Sequence, residues 1–313
     1  MPSIKDAAAT LRRGGLVAFP TETVYGLGAD ASNPAAVARI YRVKGRPAGH
    51  PVIVHIGDVG QLRLWAREIP EHAARLADRF WPGPLTLVLR RAAGVRDDLT
   101  GGQNTIGLRV PGHPVALDLL REFGGGIAAP SANRFGRISP TSAEHVLNDL
   151  GSDVDLILDG GACEIGIEST IVDLSRSKPV VLRPGRIAEK DIAEVLGVTA
   201  SPRDAAAPRA PGTLLSHYAP RRPLRLIESD EWEQRMLRTS ARTGVMSFHA
   251  RPAGDASAIW IVGSSDPQRY AHDLYANLRA LDSSRCDEIL VEEPPASPAW
   301  AAVRDRLSRA CSQ

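Results

Sequence analysis

The chain has 313 residues, 43% of them apolar and 24% charged, which excludes a disordered chain and predicts about two folded domains. Its 38 Lys+Arg against 36 Asp+Glu leave a net charge of +2, too balanced for a dedicated nucleic-acid coat. The three cysteines lie far apart without a C-x-x-C pair, and no stretch approaches the roughly 18 apolar residues of a membrane span, so we expect a reduced, cytoplasmic protein.

The first part of the chain alternates short apolar runs with helical patterns, which is typical of a mixed α/β sheet. The apolar runs lie at 16–19, 52–56, 85–89, 105–110, 155–159, 170–174 and 180–182. Between these runs, Asn33-Pro34 and Pro70-Glu71 open helical patterns. We interpret residues 20–28 and 129–142 as loops that leave the ends of strands.

From about 197 to 222 the periodicity stops in a segment rich in Pro, Ala and Arg, which we interpret as a linker. A second alternation of strand and helix patterns follows, and its spacing predicts a small parallel sheet with crossover helices. The predicted organisation is therefore a domain at 1–196, a linker at 197–222 and a second domain at 223–313.

Several polar side chains lie within or at the ends of the predicted strands of the first domain, where an apolar residue would be expected. Thr23 follows the first apolar run, His55 and Arg109 interrupt aliphatic runs, and Ser169 and Arg183 stand at strand ends. Because loops and strand ends on a rigid sheet commonly carry function, these positions are candidates for one site.

Each candidate also has an ordinary structural interpretation when it is taken alone. Lys44 would then close a solvated helix end, His55 would be a satisfied core histidine, and Arg109 would belong to a buried ion pair. Only four of the 38 basic residues are lysines, so Lys44 is the most informative of them. The sequence lacks the standard phosphate-loop, dinucleotide, H-E-x-x-H and G-x-S-x-G signatures, so a nucleotide would need another mode of binding.

Seven segments, in order along the chain, resemble the YrdC-type threonylcarbamoyl-AMP synthases. They are PTETVYGLG, KGRP with HPVIVHI, WPGPLTLVL, NTIGLRVP, APSAN with GRISPT, GGACEIGIESTIVDL and VLRPG, between about residues 10 and 187. SHYAP at 216–220 and the trailing α/β pattern resemble the long form of this family. The resemblance implies a YrdC-like twisted mixed sheet, then a linker and a smaller Rossmann-like α/β domain.

The same resemblance implies a nucleotidyltransferase. The implied reaction joins L-threonine, bicarbonate or CO2, and ATP into L-threonylcarbamoyl-AMP and releases pyrophosphate, the first step of tRNA threonylcarbamoyladenosine modification. A separate transferase would move the group onto tRNA, and direct tRNA contact by this chain would not be required. Mg2+ would bridge the ATP phosphates with few protein ligands, because the sequence shows no dedicated carboxylate cage.

The resemblance also assigns residues to these substrates. The threonine site falls on Thr23, His55, Arg109, the main chain of Ala129, and Ser169. The nucleotide site falls on Arg46, His50, Thr105, Ser131, Ser139, Arg183 and, from the linker, Tyr218. The family's catalytic Lys-x-Arg and Ser-x-Asn signature falls on Lys44, Arg46, Ser131 and Asn133.

Arginine suits these assignments because its planar, permanently charged fork matches carboxylate and phosphate oxygens. We therefore expect Arg109 at the threonine carboxylate, and Arg46 and Arg183 at the phosphates. Thr23 and Ser169 would meet the substrate hydroxyl or amine.

Alternatives stay open at this point. The same fold could serve as an RNA-binding module, although the balanced charge and the lack of aromatic residues among the basic ones argue against it. A carbamoyl-transfer subunit of hydrogenase maturation contains a similar domain, but it also carries Cys-rich zinc fingers that this sequence lacks. The SHYAP segment is either a lid over the nucleotide or a passive tether.

Overall fold

The computed structural model describes residues 2–236, 238–255, 257 and 259–311, which divide into two compact units. The first unit comprises Met1–Phe135 and Ser139–Thr213, and the second comprises Gly136–Ile138 and Leu214–Gln313. The segment 197–222 is thus divided at Thr213, and the domain boundaries given above stay a prediction. Among the described residues, no helix combines the length and the apolar character needed to cross a bilayer.

The helices and strands of the first unit alternate along the chain. The helices are α1 (Ile4–Arg12), α2 (Pro34–Lys44), α3 (Leu62–Trp65), α4 (Glu71–Phe80), α5 (Asp97–Thr100), α6 (Pro114–Phe123), α7 (Ala143–Leu150) and α8 (Glu189–Leu196). The strands are β1 (Val17–Phe19), β2 (Gly26–Asp30), β3 (Ile53–His55), β4 (Leu85–Arg90), β5 (Thr105–Arg109), β6 (Ile127–Ala128), β7 (Leu156–Ile157), β8 (Thr170–Asp173) and β9 (Val180–Arg183).

The described strands of the first unit form one sheet in the order β7-β1-β2-β6-β3-β5-β4-β8-β9. The pairs β1–β7, β3–β5 and β4–β8 are parallel, and the other neighbouring pairs are antiparallel. The predicted mixed α/β sheet is therefore confirmed.

Strand β2 lies inside the segment 20–28 and its continuation, where we expected only a loop. It pairs antiparallel with β1, with Phe19 opposite Gly26 and Val17 opposite Gly28. A Cβ at Gly28 would lie 2.8 Å from the Phe19 ring and 2.9 Å from Ile127, so glycine is required for this close packing. The loop prediction was wrong for residues 26–28 only, because glycine lowers strand propensity whereas tertiary packing required it here; residues 20–25 form no strand or helix.

The main core of the first unit lies on one face of the sheet. Ile40 of α2 and Leu76 of α4 belong to the same buried cluster as Val54 of β3 and Leu108 of β5. Helix α2 starts at Asn33, whose side chain accepts hydrogen bonds from two main-chain amides. It ends at Gly45 in the left-handed conformation, which leaves Lys44 as the last helical residue.

The second unit has its own small sheet. Its strands are β10 (Leu224–Ile227), β11 (Thr243–Ser247), β12 (Ile259–Val262) and β13 (Glu288–Glu292), and its helices are α9 (Trp232–Met236), α10 (Pro267–Ser283) and α11 (Ala301–Cys311). The strands pair in parallel in the order β10-β13-β11-β12. This confirms the predicted smaller parallel α/β domain, with Tyr270 and Tyr275 of α10 in its core.

Candidate active site

The candidate residues on β3 and β5 lie on the sheet face opposite the main core. Val54 and Leu108 belong to that core, and side chains alternate along a strand, so His55 and Arg109 point to the other face. His55 and Arg109 are also register partners across the pair β3–β5. The structure therefore brings two residues of the predicted threonine site side by side.

Arg109 is only 3% exposed, and three groups hold its guanidinium. Its Nε donates to the Gly83 carbonyl at 3.1 Å, its Nη1 donates to Thr23 Oγ1 at 2.9 Å, and its Nη2 lies 2.7 Å from Glu22 Oε1. The contact with Glu22 is an ion pair without an aligned hydrogen bond. These contacts fix the direction of the buried cation and place Thr23 beside it.

His55 is 3% exposed, and its Nδ1 has no hydrogen-bond partner among the residues that the structure describes. Its ring meets Phe19 edge to face, with the ring centres 6.0 Å apart. Burial, and then the charge of Arg109, hold the pKa of His55 well below its usual value, so the ring stays neutral. A buried nitrogen without a partner is costly, which makes His55 a candidate contact for a bound ligand.

Ser169 connects the predicted threonine and nucleotide sites. Its hydroxyl lies 2.8 Å from Thr86 Oγ1 and accepts a hydrogen bond from Arg183 Nη2 at 3.1 Å. Nε and Nη2 of Arg183 also donate to the Ser169 carbonyl at 3.1 and 2.9 Å, and its Nη1 donates to the Pro211 carbonyl. Arg183 is therefore held in place by main-chain oxygens next to a predicted threonine contact.

Lys44 joins the two signature motifs. Its Nζ donates to the carbonyl oxygens of Ser131 and Asn133, at 2.5 Å each. Burial, and then the charge of Arg46, hold the pKa of the Lys44 ammonium well below its usual value. Lys44 thus fixes the loop that carries Ser131 and Asn133, and its implied catalytic role stays a prediction.

Arg46 and His50 meet on one aromatic ring. The Arg46 guanidinium lies 5.5 Å from the centre of the Phe135 ring, and the His50 ring meets the same ring edge to face at 5.4 Å. Nη2 of Arg46 donates to the Pro51 carbonyl at 2.6 Å. The two predicted nucleotide contacts are therefore neighbours.

The other predicted residues of the first unit have varied environments. Ser139 is fully buried, and its hydroxyl donates to Glu168 Oε1 at 2.5 Å. Thr105 begins β5 and is half-buried. The amide of Ala129 donates to the Ile53 carbonyl at 2.9 Å, so a main-chain contact to substrate would use the Ala129 carbonyl.

Tyr218 lies in the second unit and is not assembled with the other candidates within one unit. Its ring stacks on Tyr275 with centres 5.8 Å apart, and the Arg306 guanidinium lies 5.2 Å from its centre. The predicted role of Tyr218 at the nucleotide therefore stays a prediction.

The sequence interpretation missed several residues of this region. Glu22 follows the first strand and had no place in the sequence interpretation, although it is the ion-pair partner of Arg109. Thr86 was treated as part of an aliphatic run, although it contacts Ser169. A polar residue inside an aliphatic strand was the available signal for Thr86, whereas nothing local indicated Phe135 as the ring beneath Arg46.

The described residues contain no group of three or more His, Cys, Asp or Glu side chains arranged to hold a metal ion. The carboxylate of Glu168 is bonded to Ser139, and that of Glu22 lies against Arg109. These two carboxylates do not form a cage for Mg2+, and the expected binding of Mg2+ through the ATP phosphates stays a prediction.

Two family profiles match adjoining parts of the chain. The Sua5, YciO and YrdC profile, described as telomere recombination, matches residues 9–185. The Sua5 carboxy-terminal profile, described as the C-terminal domain of threonylcarbamoyl-AMP synthase, matches residues 187–312.

Known proteins match over almost the whole chain. A threonylcarbamoyl-AMP synthase of Pyrococcus abyssi is 41% identical over 98% of this chain and 93% of its own length. One of Bacillus subtilis is 42% identical over 99% of this chain and 93% of its own. The crystal structure of P. abyssi Sua5 complexed with L-threonine superposes with a TM-score of 0.91 at 39% identity, covering 98% of this chain and 94% of that one.

Proposed function

The chain belongs to the threonylcarbamoyl-AMP synthase family of enzymes, in its long two-domain form, and from this premise we propose that it makes L-threonylcarbamoyl-AMP. The substrates are L-threonine, bicarbonate or CO2, and ATP, and the second product is pyrophosphate. The structure of the P. abyssi relative in complex with L-threonine supports the choice of amino acid.

The observation that carries this proposal is the joining of the two predicted substrate sites within one unit. Arg109 and Thr23 are hydrogen-bonded, and Arg183 binds both the hydroxyl and the carbonyl of Ser169. The hydroxyl groups of Thr23 and Ser169, which we expect to contact threonine, are thus hydrogen-bonded to two arginines. Arginine binds carboxylates and phosphates well.

The reaction needs positioning more than it needs a protein nucleophile. The neutral threonine amine bonds to CO2 and loses one proton to solvent, and an oxygen of the resulting carbamate attacks the α-phosphorus while the bond from phosphorus to the leaving pyrophosphate breaks. Arg109 would bind the threonine carboxylate, and Arg46 and Arg183 would bind phosphate oxygens. Because main-chain carbonyls already orient these guanidinium groups, little reorganisation accompanies the build-up of charge.

His55 and Lys44 would play different parts. The neutral His55 ring has one donor and one acceptor nitrogen, which suits the hydroxyl or carboxylate of threonine. Lys44 would position Ser131 and Asn133 near the carbamate and α-phosphate by donating to their carbonyl oxygens. Mg2+ bound to ATP would offset phosphate charge without a dedicated protein ligand.

The product is a mixed anhydride that water hydrolyses, so it must reach its acceptor quickly. As the family resemblance implies, we assign the transfer to tRNA to a separate threonylcarbamoyl transferase. On this proposal the chain is a cytoplasmic nucleotidyltransferase that supplies the first step of the tRNA modification.

The proposal is tested by measuring pyrophosphate release from ATP with L-threonine and bicarbonate omitted in turn. We expect release only when all three substrates are present. Replacement of Arg46 by Ala should slow release by about 100- to 1000-fold, the cost of one preorganised charge. Salt-sensitive tRNA binding without substrate-dependent pyrophosphate release would instead favour an RNA-binding module.

A further inference from the structure

Glu22 is a buried carboxylate to which the reaction described above gives no role. It lies in the loop between β1 and β2 and is only 6% exposed. Both carboxylate oxygens lack a hydrogen-bond donor among the described residues, although Oε1 lies 2.7 Å from Arg109 Nη2. Buried carboxylate oxygens without donors are rare in folded proteins, so the group is a candidate for binding a cation from outside the chain.

Contacts with neighbouring main chain fix the position of the Glu22 carboxylate. The Glu22 carbonyl accepts a hydrogen bond from the Ile165 amide at 2.8 Å, which fixes its main chain. A Cβ at Gly112 would lie 3.4 Å from the Glu22 carboxyl carbon, so the carboxylate packs against the main chain there. Its position is therefore determined by the fold.

Arg109 keeps hydrogen-bonding capacity beside Glu22. A guanidinium has five N–H donors, and the hydrogen bonds to Gly83 and Thr23 use two of them. Three N–H groups thus form no hydrogen bond among the described contacts: one on Nη1, and two on the Nη2 that lies 2.7 Å from Glu22 Oε1. A carboxylate bound there would bring its own α-substituent close to Glu22, which is within ion-pair distance of the same guanidinium.

The charges of this cluster match those of a free amino acid. Arg109 contributes one positive charge and Glu22 one negative charge, and the adjacent His55 ring is neutral. An α-amino acid likewise carries one carboxylate and one ammonium group. A simple carboxylic acid carries only the negative charge, so it would leave Glu22 buried beside a second carboxylate.

We propose that Glu22 binds the α-ammonium group of L-threonine while Arg109 binds its carboxylate, so that the pair selects an amino acid over the corresponding deaminated acid. This inference rests on the proposed function, since it takes the threonine site as given. It adds a specificity-determining residue that holds the substrate nitrogen as the ammonium ion, which must release a proton to solvent before it bonds to CO2 as the neutral amine.

The test compares two ligands on the full-length protein by titration calorimetry. L-threonine carries the ammonium group, and (R)-3-hydroxybutanoate keeps the carboxylate and the hydroxyl but lacks it. We expect the unaltered protein to bind L-threonine at least about tenfold more tightly, the effect of one charge-assisted hydrogen bond. Glu22→Gln should reduce this preference at least tenfold, and Glu22→Asp, which keeps the charge, should retain part of it.

The matched control is Glu292→Gln, which neutralises a buried carboxylate of the second unit that accepts hydrogen bonds from Ser247 and Phe248. It should leave the ligand preference unchanged.

An equal preference in Glu22→Gln and the unaltered protein would overturn the assignment of Glu22 while leaving the proposed function intact. Equal affinity of the unaltered protein for both ligands would overturn it even if the Gln variant does not fold. If the unaltered protein neither binds L-threonine nor releases pyrophosphate with it, the proposed function itself fails.

Discussion

Main-chain oxygens orient each of the three buried arginines of the candidate site. Arg109 donates to the Gly83 carbonyl, Arg183 to the Ser169 carbonyl, and Arg46 to the Pro51 carbonyl. A carbonyl oxygen carries no net charge, so it fixes the direction of a guanidinium without neutralising it, whereas Arg109 is in addition ion-paired with Glu22. The cations are thus oriented before a substrate arrives, which is the arrangement that electrostatic catalysis requires.

The burial of His55 has a measurable effect on stability. The folded protein keeps this ring neutral because its pKa lies well below the usual value, whereas the unfolded chain protonates it near pH 6.5. Below that pH the unfolded state binds one more proton, so stability falls as the pH falls. As the pH falls, we expect the free energy of unfolding of the unaltered protein to decrease more steeply than that of His55→Gln. The difference in slope should reach up to about 1.4 kcal/mol per pH unit.

Urea titrations of both proteins between pH 5 and 7.5 measure this difference. Parallel pH dependences would contradict a His55 that is neutral and buried in the folded state.

At the scale of elements, alternation along the strands separates the core from the candidate site. One face of β3 and β5 carries Val54 and Leu108 into the main core, and the other carries His55 and Arg109. Glycines then let neighbouring segments approach this sheet closely, as Gly28 does at Phe19. The positions of the polar groups therefore depend on close approaches that are possible only where a residue has no side chain.

Gly185 tests this dependence, because it follows β9 and packs directly on the main chain that carries Ser169. A Cβ at Gly185 would lie 2.4 Å from the Thr170 nitrogen and 2.8 Å from the Glu168 carbonyl oxygen. Since these are backbone atoms that cannot rotate away, Gly185→Ala should destabilise the protein by about 1–3 kcal/mol and raise the KM for L-threonine.

Thermal unfolding and steady-state kinetics provide the two measurements. Gly94→Ala is the control, because its added Cβ has no neighbour within 4 Å, and it should change stability by less than about 0.5 kcal/mol. Equal effects of the two substitutions would argue against close packing at Gly185.

At the scale of the whole molecule, the candidate residues divide between two units of different architecture. The first unit has a mixed sheet and contains most of them, and the second has a parallel sheet and contains Tyr218. The described residues 201–213 lie within the first unit, where Gln103 and Arg183 bond to Arg209 and Pro211. This part of the Pro- and Ala-rich segment is therefore hydrogen-bonded to the first unit, and the linker at 197–222 stays a prediction.

Tyr218→Phe separates the two roles considered for the SHYAP segment. The substitution keeps the ring that packs against Tyr275 and Arg306 and removes only the hydroxyl. If the hydroxyl contacts the nucleotide, as we predict, the KM for ATP should rise about tenfold, with the melting temperature and the KM for threonine unchanged. An unchanged KM for ATP would support a passive tether.

The sequence by itself determined most of the elements and the residue types of the site. Strands with strong apolar patterns and helices with clear starts, such as α2 after Asn33, were predicted because local periodicity and capping dictate them. His55 and Arg109 were found because a polar residue in an aliphatic strand is a local anomaly.

Only the tertiary structure decided which of these groups meet. Thr23 and Arg109 are 86 residues apart, and Lys44 and Asn133 are 89 apart, so no local pattern could pair them. Strand β2 was missed because its glycines are chosen for contacts with distant residues rather than for strand propensity. The ion pair of Glu22 with Arg109 depends on the same long-range packing, because each charge is stable in its buried position only when the other is beside it.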